Sequence, residues 1–220
     1  TVTLEEKLTP IQLGKEIVIA TNNVGKAKEF AKIFEPKGYK VKTLKDFPEL
    51  DEVDETGTTF EENARLKAET IANALQTIVL ADDSGLCVDA LEGLPGVYSA
   101  RFAGEEKNDA ANNAKLLSEL GGLKGKERAA HFTCCLVLAA PFQESLVVQA
   151  ECHGEIATLP SGDSGFGYDP LFLVPEYQKT FAELGMDIKN KISHRAKAIE
   201  LLVEKWEHWT NSLGAVEETE

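Results

Sequence analysis

The stretch Ala81-Asp82-Asp83-Ser84-Gly85 constrains this chain more than any other. The apolar run Ile78-Val79-Leu80-Ala81 leads straight into two adjacent carboxylates, and a hydroxyl and a glycine follow. The run is short and rich in β-branched residues, so it predicts a buried strand ending in a turn. In open α/β sheets, ligands bind at the carboxyl ends of such strands. Two like charges this close raise a pKa or call for a cation. The plainer alternative is a solvated turn in which Asp82 or Asp83 caps the next segment.

A chain of 220 residues with 43% hydrophobic content has room for one large α/β domain or two small ones. Its 37 acidic and 23 basic residues give a net charge of −14. A surface of that sign repels polyanions, which argues against nucleic acid and membrane surfaces as partners. An anionic ligand would need a local cluster of Lys, Arg and backbone N–H groups. No apolar run approaches about 18 residues and no charged-then-apolar leader is seen, so a soluble, cytoplasmic protein is expected. Cys87, Cys134, Cys135 and Cys152 match no zinc spacing and read as reduced, mostly buried thiols.

Along the chain, residues 1–15 form an N-terminal extension, 16–213 the domain and 214–220 an acidic tail. Ile17 to Ala20 predicts a buried strand. The loop Thr21-Asn22-Asn23-Val24-Gly25-Lys26 follows, then a helix on which Ala27, Phe30, Ala31 and Phe34 share a face. A loop of this kind aims backbone N–H groups and a helix N-terminus at one spot, which suits phosphate. Its single glycine excludes a Walker loop and a dinucleotide fingerprint. An alternating strand is expected over 39–43, an acidic turn-rich segment over 45–58, and a helix opened by the capping box Thr59-x-x-Glu62. Asn63 and Lys67 lie one turn apart on that helix and can point together. Leu86 to Leu91 predicts a short strand, Asn108 caps a helix ending at Gly121-Gly122, and 130–140 with 146–152 read as an antiparallel hairpin. The sheet is therefore expected to be mixed.

Two later stretches stand out. Gly165-Phe166-Gly167-Tyr168-Asp169-Pro170 combines close backbone approach with an aromatic face. Lys189 to Arg195 is a dense basic cluster in an acidic chain, a candidate anion site ahead of a helix capped by Ser193. Carboxylates together with a phosphate-binding loop imply a divalent cation with oxygen ligands, and Mg²⁺ suits them.

Six motifs in this order resemble the Ham1-type, or inosine triphosphatase-like, nucleoside triphosphate pyrophosphatases. They are Ala20 to Lys26, Glu55 to Ala64, Ala81 to Leu86, Gly93 to Arg101, Gly165 to Pro170 and Ile192 to Arg195. The resemblance implies an α/β fold with an elongated mixed sheet and helices forming two lobes around a central cleft. It implies a homodimer, and Mg²⁺-dependent hydrolysis of dITP, ITP and XTP to the monophosphate and pyrophosphate. By motif, Asp83 would be the proton acceptor and a metal ligand. Asp54 falls at the second metal position, with Glu55 as the neighbouring candidate. Thr21, Asn22, Asn23, Val24, Gly25 and Lys26 would contact the triphosphate, with Lys67 near it and Ser84 on the substrate. Phe166, Gly167, Tyr168, Asp169, Lys189, His194 and Arg195 would recognise the base. A nucleotide sensor without turnover and a phosphatase releasing orthophosphate are the competing readings.

Overall fold

The computed structural model describes residues 15–218, with side chains through 212. The N-terminal extension, apart from Lys15, and residues 219 and 220 of the acidic tail lie outside the described residues. The chain divides into two compact units. The first contains the residues up to Asp83, Cys135–Val148 and those from Glu200 on, and the second contains Ser84–Cys134 and Gln149–Ile199.

Seven strands form one sheet: β1 (Glu16–Ile19), β2 (Lys40–Thr43), β3 (Ile78–Val88), β4 (Ala129–Ala139), β5 (Leu146–Ile156), β6 (Phe172–Val174) and β7 (Lys179–Thr180). Their order is β2-β1-β3-β4-β5-β6-β7. β1 runs parallel to β2 and β3, with Ile17 opposite Ile78 and Ile19 opposite Leu80. β6 runs antiparallel to β5 and β7. The sheet is mixed, as the alternation of helical and hairpin signals predicts. The helices are α1 (Val24–Phe34), α2 (Phe60–Leu75), α3 (Asp109–Glu119), α4 (Phe181–Leu184), α5 (Met186–Ile192) and α6 (His194–Glu218).

Unit one buries Val18, Val79, Ala81, Cys135 and Val137 against Ala64, Ala68 and Ile71 of α2. In the same unit the later part of α6 brings Trp206 to Phe34 at 5.1 Å and to Tyr39 at 5.4 Å between ring centroids. Unit two packs Leu86 and Val88 with Leu116, Phe132, Phe172 and Phe181. Its rings meet tilted at 4.6 Å (Phe132–Phe172) and stacked at 5.1 Å (Phe172–Phe181), geometries that aromatic quadrupoles favour. All four cysteines are free, and three of them are buried. No helix among the described residues is long and apolar enough to cross a membrane.

Three local expectations are corrected. The carboxylates do not end a strand in a turn, because β3 runs unbroken from Ile78 to Val88 and merges two expected strands. The strand continues because each carboxylate finds a partner in place, as described below. The basic cluster does lie ahead of the helix that Ser193 caps, α6, but it is not a loop: Lys189 and Lys191 occupy the last turn of the short α5, the end at which a helix dipole favours cations. The box at α2 is only half reciprocal. Thr59 Oγ1 accepts from Glu62 N at 3.0 Å, but the Glu62 carboxylate accepts from Thr58 N at 2.8 Å instead of from the cap itself.

Candidate active site

In unit one, the β1–α1 loop with the first turn of α1, helix α2 and the loop carrying Glu55 converge on the middle of β3. The β1–α1 loop is self-tied: Asn23 N donates to Thr21 Oγ1, and Lys26 N donates to Asn23 Oδ1, each at 3.0 Å. Asn23 is thereby the N-cap of α1, taking one of the first-turn N–H groups that a helix start leaves without a helical partner. Asn22, Asn23, Val24 and Gly25 are exposed. A cavity of ≈ 400 Å³ opens beside the loop, lined by Thr21 to Val24 and by Lys28 and Lys45.

Lys26 reaches from this loop to Asp82, donating to Oδ2 at 3.1 Å. Asp82 is 6% exposed, so this pair is what allows its charge to be buried. Lys67 of α2 donates to the Asp82 backbone oxygen at 2.8 Å and pairs with Glu55 Oε1 at 2.9 Å. Burial opposes the Lys67 ammonium, yet Asp82, Glu55 and Asp83 outweigh it, and the net shift of its pKa is upward.

Asp83 sits at the centre of this charge pattern. Burial first, then the Glu55 carboxylate, push its pKa up to about 7, against the opposing pull of Lys67 and a hydrogen bond from the Asn63 side chain. Its Oδ2 is buried without a hydrogen-bond partner. A half-neutral carboxyl with one idle oxygen, beside a second carboxylate, is an arrangement that a divalent cation would relieve. The donor set of Asp83 and Glu55 is all oxygen, and it fits Mg²⁺.

Glu55 is held by its loop. Gly57 N donates to Asn63 Oδ1 at 2.7 Å. A Cβ on Gly57 would come within 2.6 Å of the Glu62 Cβ and 2.8 Å of Asn63 Oδ1, so this loop lies against α2 only because the residue is glycine. The amide of Asn63 therefore takes the loop with its oxygen and serves Asp83 with the rest of the group. The spacing argument pairing Asn63 with Lys67 is realised, since both act on the carboxylate pair. Asp54 is different. It is exposed, and its backbone oxygen accepts from Thr56 N at 3.1 Å. The carboxylate that enters the cluster is Glu55.

Unit two carries the second set. Gly165, at φ +78°, leaves open the space into which Asp169 turns, and a Cβ there would run into the Asp169 carboxylate. Asp169 Oδ2 accepts from Phe166 N at 3.1 Å and from Lys189 Nζ at 2.6 Å, a buried pair with side chains 10% and 4% exposed. The Lys189 ammonium also lies 4.5 Å from the centroid of the half-exposed Phe166 ring, and the Arg195 guanidinium lies 6.0 Å from it. This ring, flanked by two cations, is an open stacking face. Asp109 Oδ2 accepts from Gly167 N at 2.9 Å, and Asn113 Nδ2 donates to Gly167 O at 3.1 Å, which fixes the loop to α3. Tyr168 is turned inward, donating through its hydroxyl to Ser99 O at 2.6 Å, and burial raises its pKa strongly. His194 stacks on Phe132 at 4.8 Å and is 7% exposed. Ser193 accepts from Ala196 N at 3.2 Å, capping α6 as expected. Ser84 Oγ is buried without a hydrogen-bond partner.

The structure thus gathers Lys26, Lys67, Asp82 and Asp83 in one unit, and Phe166, Asp169, Lys189 and Arg195 in the other. It leaves Asp54 outside. Sequence reasoning passed over Asp109 and Asn113, whose only signal was their place on a helix start. It also passed over the buried Arg128.

The Ham1 family model matches residues 17–205. A dITP/XTP pyrophosphatase of Geobacillus kaustophilus is 56% identical over 203 residues, covering 92% of this chain and all of that protein. A dITP/XTP pyrophosphatase of Streptococcus pyogenes is 58% identical over 197 residues, 89% of this chain, and the match spans 60% of that protein's length. The solved structure of the Staphylococcus aureus Ham1 protein superposes with a TM-score of 0.83 at 49% identity, covering 88% of this chain and 98% of that one.

Proposed function

Because the chain belongs to the Ham1 family, we propose that it hydrolyses non-standard purine nucleoside triphosphates, dITP, ITP and XTP, to the monophosphate and pyrophosphate. The observation that carries this reading is Asp83: a carboxyl with a pKa near 7, one idle oxygen, and Glu55 and Lys67 acting on it. A general base works best when its pKa lies near the operating pH. Asp83 would take the proton of the attacking water.

Mg²⁺ would be held by Asp83 and Glu55, and when bound it would supply charge neutralisation on the triphosphate oxygens. Lys26 and Lys67, with the exposed N–H groups of the Thr21–Lys26 loop, would bind the triphosphate itself. Ser84 offers its unpaired hydroxyl to the substrate. In the second unit, Phe166 would stack on the purine, with Gly167 and Tyr168 shaping the loop beneath it. Asp169 holds Lys189, and His194 and Arg195 supply donors for a 6-oxo group. An amine at that position would leave a donor unpaired, which is how adenine nucleotides would be rejected. Four free thiols suit a reducing compartment, and we place the protein in the cytoplasm.

The test is product identity. With ITP, dITP or XTP and Mg²⁺, IMP, dIMP or XMP should appear with pyrophosphate, and ATP should be turned over far more slowly. Orthophosphate as the first product would favour a phosphatase, and tight binding without product would favour a sensor. A second comparison concerns the metal. Glu55→Gln should lower activity by at least about tenfold, with part of the loss restored by raised Mg²⁺, whereas Asp54→Asn should stay close to the parent. The reverse ranking would return the metal position to Asp54.

A further inference from the structure

We propose that His131, Glu151 and His153 form a binding site for one borderline divalent transition-metal ion of the Zn²⁺ class, which clips β4 to β5 and shares no residue with the Asp83 cluster. Three observations carry it. The first is register. His131 lies on β4, Glu151 and His153 lie two apart on β5, and the two strands are neighbours in the sheet. Residues two apart on a strand project from the same face, so three metal-binding groups are presented together.

The second is geometry. One donor atom from each side chain lies within 4.8 Å of the others. The Glu151 carboxylate stands between the rings, with Oε2 2.9 Å from His153 Nε2 and Oε1 3.8 Å from His131 Nε2. The imidazole centroids are 5.1 Å apart. Ligands about 2.0–2.1 Å from a tetrahedral ion stand about 3.3 Å from one another, so closure needs an inward movement of roughly 1–1.5 Å. Side chains exposed by 41% (Glu151) and 72% (His153) are free to make it, while His131, at 23%, provides the steadier wall. Lys197 Nζ donates to the Glu151 backbone oxygen at 3.2 Å and so leaves the carboxylate to the imidazoles.

The third is donor chemistry. Two imidazoles and one carboxylate suit Zn²⁺, Ni²⁺ or Cu²⁺, whereas Mg²⁺ prefers an all-oxygen octahedron. Three protein ligands leave further positions to water, so the site is open. Such an ion would bind the folded pair of strands, where the three donors are gathered, more tightly than the unfolded chain, and would stabilise the native state by mass action.

The experiment uses the full chain stripped of metal by a chelator and dialysed against ZnCl₂ in excess Mg²⁺, with a parallel sample loaded with CuCl₂ for electron paramagnetic resonance. The parent should retain one Zn²⁺ per chain that His131→Ala and His153→Ala each bind at least about tenfold more weakly. His208→Ala, at an exposed histidine on α6, should bind like the parent. The Cu²⁺ spectrum should show coupling to two imidazole nitrogens, and both variants should lose that pattern. Hydrolysis of ITP with Mg²⁺ should be unchanged in His153→Ala, which separates this site from the reaction. Equal Zn²⁺ retention by the parent and both histidine variants, or a Cu²⁺ spectrum without two-nitrogen coupling, would overturn the proposal. His153 is exposed enough that its variant tests the idea even if His131→Ala does not fold.

Discussion

Asp83→Asn lowers turnover of ITP by about 10²–10⁴-fold and, at pH 8 without metal, makes the protein more stable than its parent. The two effects have one cause. The Asp83 carboxyl is raised from 3.8 to about 7, by burial first and then by Glu55. In the unfolded chain this group ionises near its ordinary value, whereas the folded protein holds it neutral until pH approaches 7. Its neutral form therefore adds nothing and costs nothing below about pH 4. As pH rises from about 4 to 7 the unfolded state loses its proton first, and stability falls. Above 7 the full penalty stands, up to about 4 kcal/mol for a three-unit shift. An asparagine of the same shape cannot ionise and escapes that penalty. The gain in denaturation midpoint for Asp83→Asn over the parent should be absent near pH 4, grow between 4 and 7, and level off above 7. Mg²⁺ should narrow the gap by binding the parent alone. Near-parental turnover would remove the role assigned to Asp83. A variant less stable than the parent at pH 8 would show that its burial is not the source of the shift.

How much of this was legible in sequence depends on how each residue announces itself. Lys26 follows a strand-to-loop transition, and Asn63 and Lys67 lie one helical turn apart, so spacing paired the last two, while Asp83 and Lys26 were brought to one site only by the order of the six motifs. The choice between Asp54 and Glu55 had no such guide. They are neighbours in an aperiodic loop, and it is the ion pair with Lys67, distant in sequence, that marks Glu55 as the one turned inward. The strand through Asp82 was misread for a related reason. Two carboxylates look like a turn until Lys26, distant in sequence, is known to meet one of them. His131, Glu151 and His153 were invisible because strand pairing, not spacing along the chain, brings them together. Arg128 was invisible in a different way. Lys126-Glu127-Arg128 reads as a solvated charge run, yet the arginine is 5% exposed.

That arginine gives the largest stability effect expected outside the carboxylate cluster. Arg128 donates through Nε to Ile156 O at 2.6 Å and through Nη2 to Ala157 O at 2.8 Å. Its Nη1 donates to Leu120 O at 3.0 Å and Leu123 O at 3.2 Å. One planar group thus ties the end of β5 to the chain leaving α3, and its charge faces carbonyls at a helix C-terminus, where the dipole favours a cation. Arg128→Ala would leave four carbonyls without their donors and a cavity where the side chain packed. Bonds to a charged group contribute about 1.5–3 kcal/mol each, but water entering the gap recovers part, so a net loss of about 3–5 kcal/mol is expected. That is a large fraction of the roughly 5–15 kcal/mol that holds a typical domain. Arg128→Lys should recover little, because a point ammonium on a flexible stem cannot reach carbonyls on two sides at once. Urea denaturation of the three proteins measures the ranking. A lysine variant as stable as the parent would mean that charge, not the planar fork, does the holding. A loss below about 1 kcal/mol for alanine would mean that the four carbonyls find other partners.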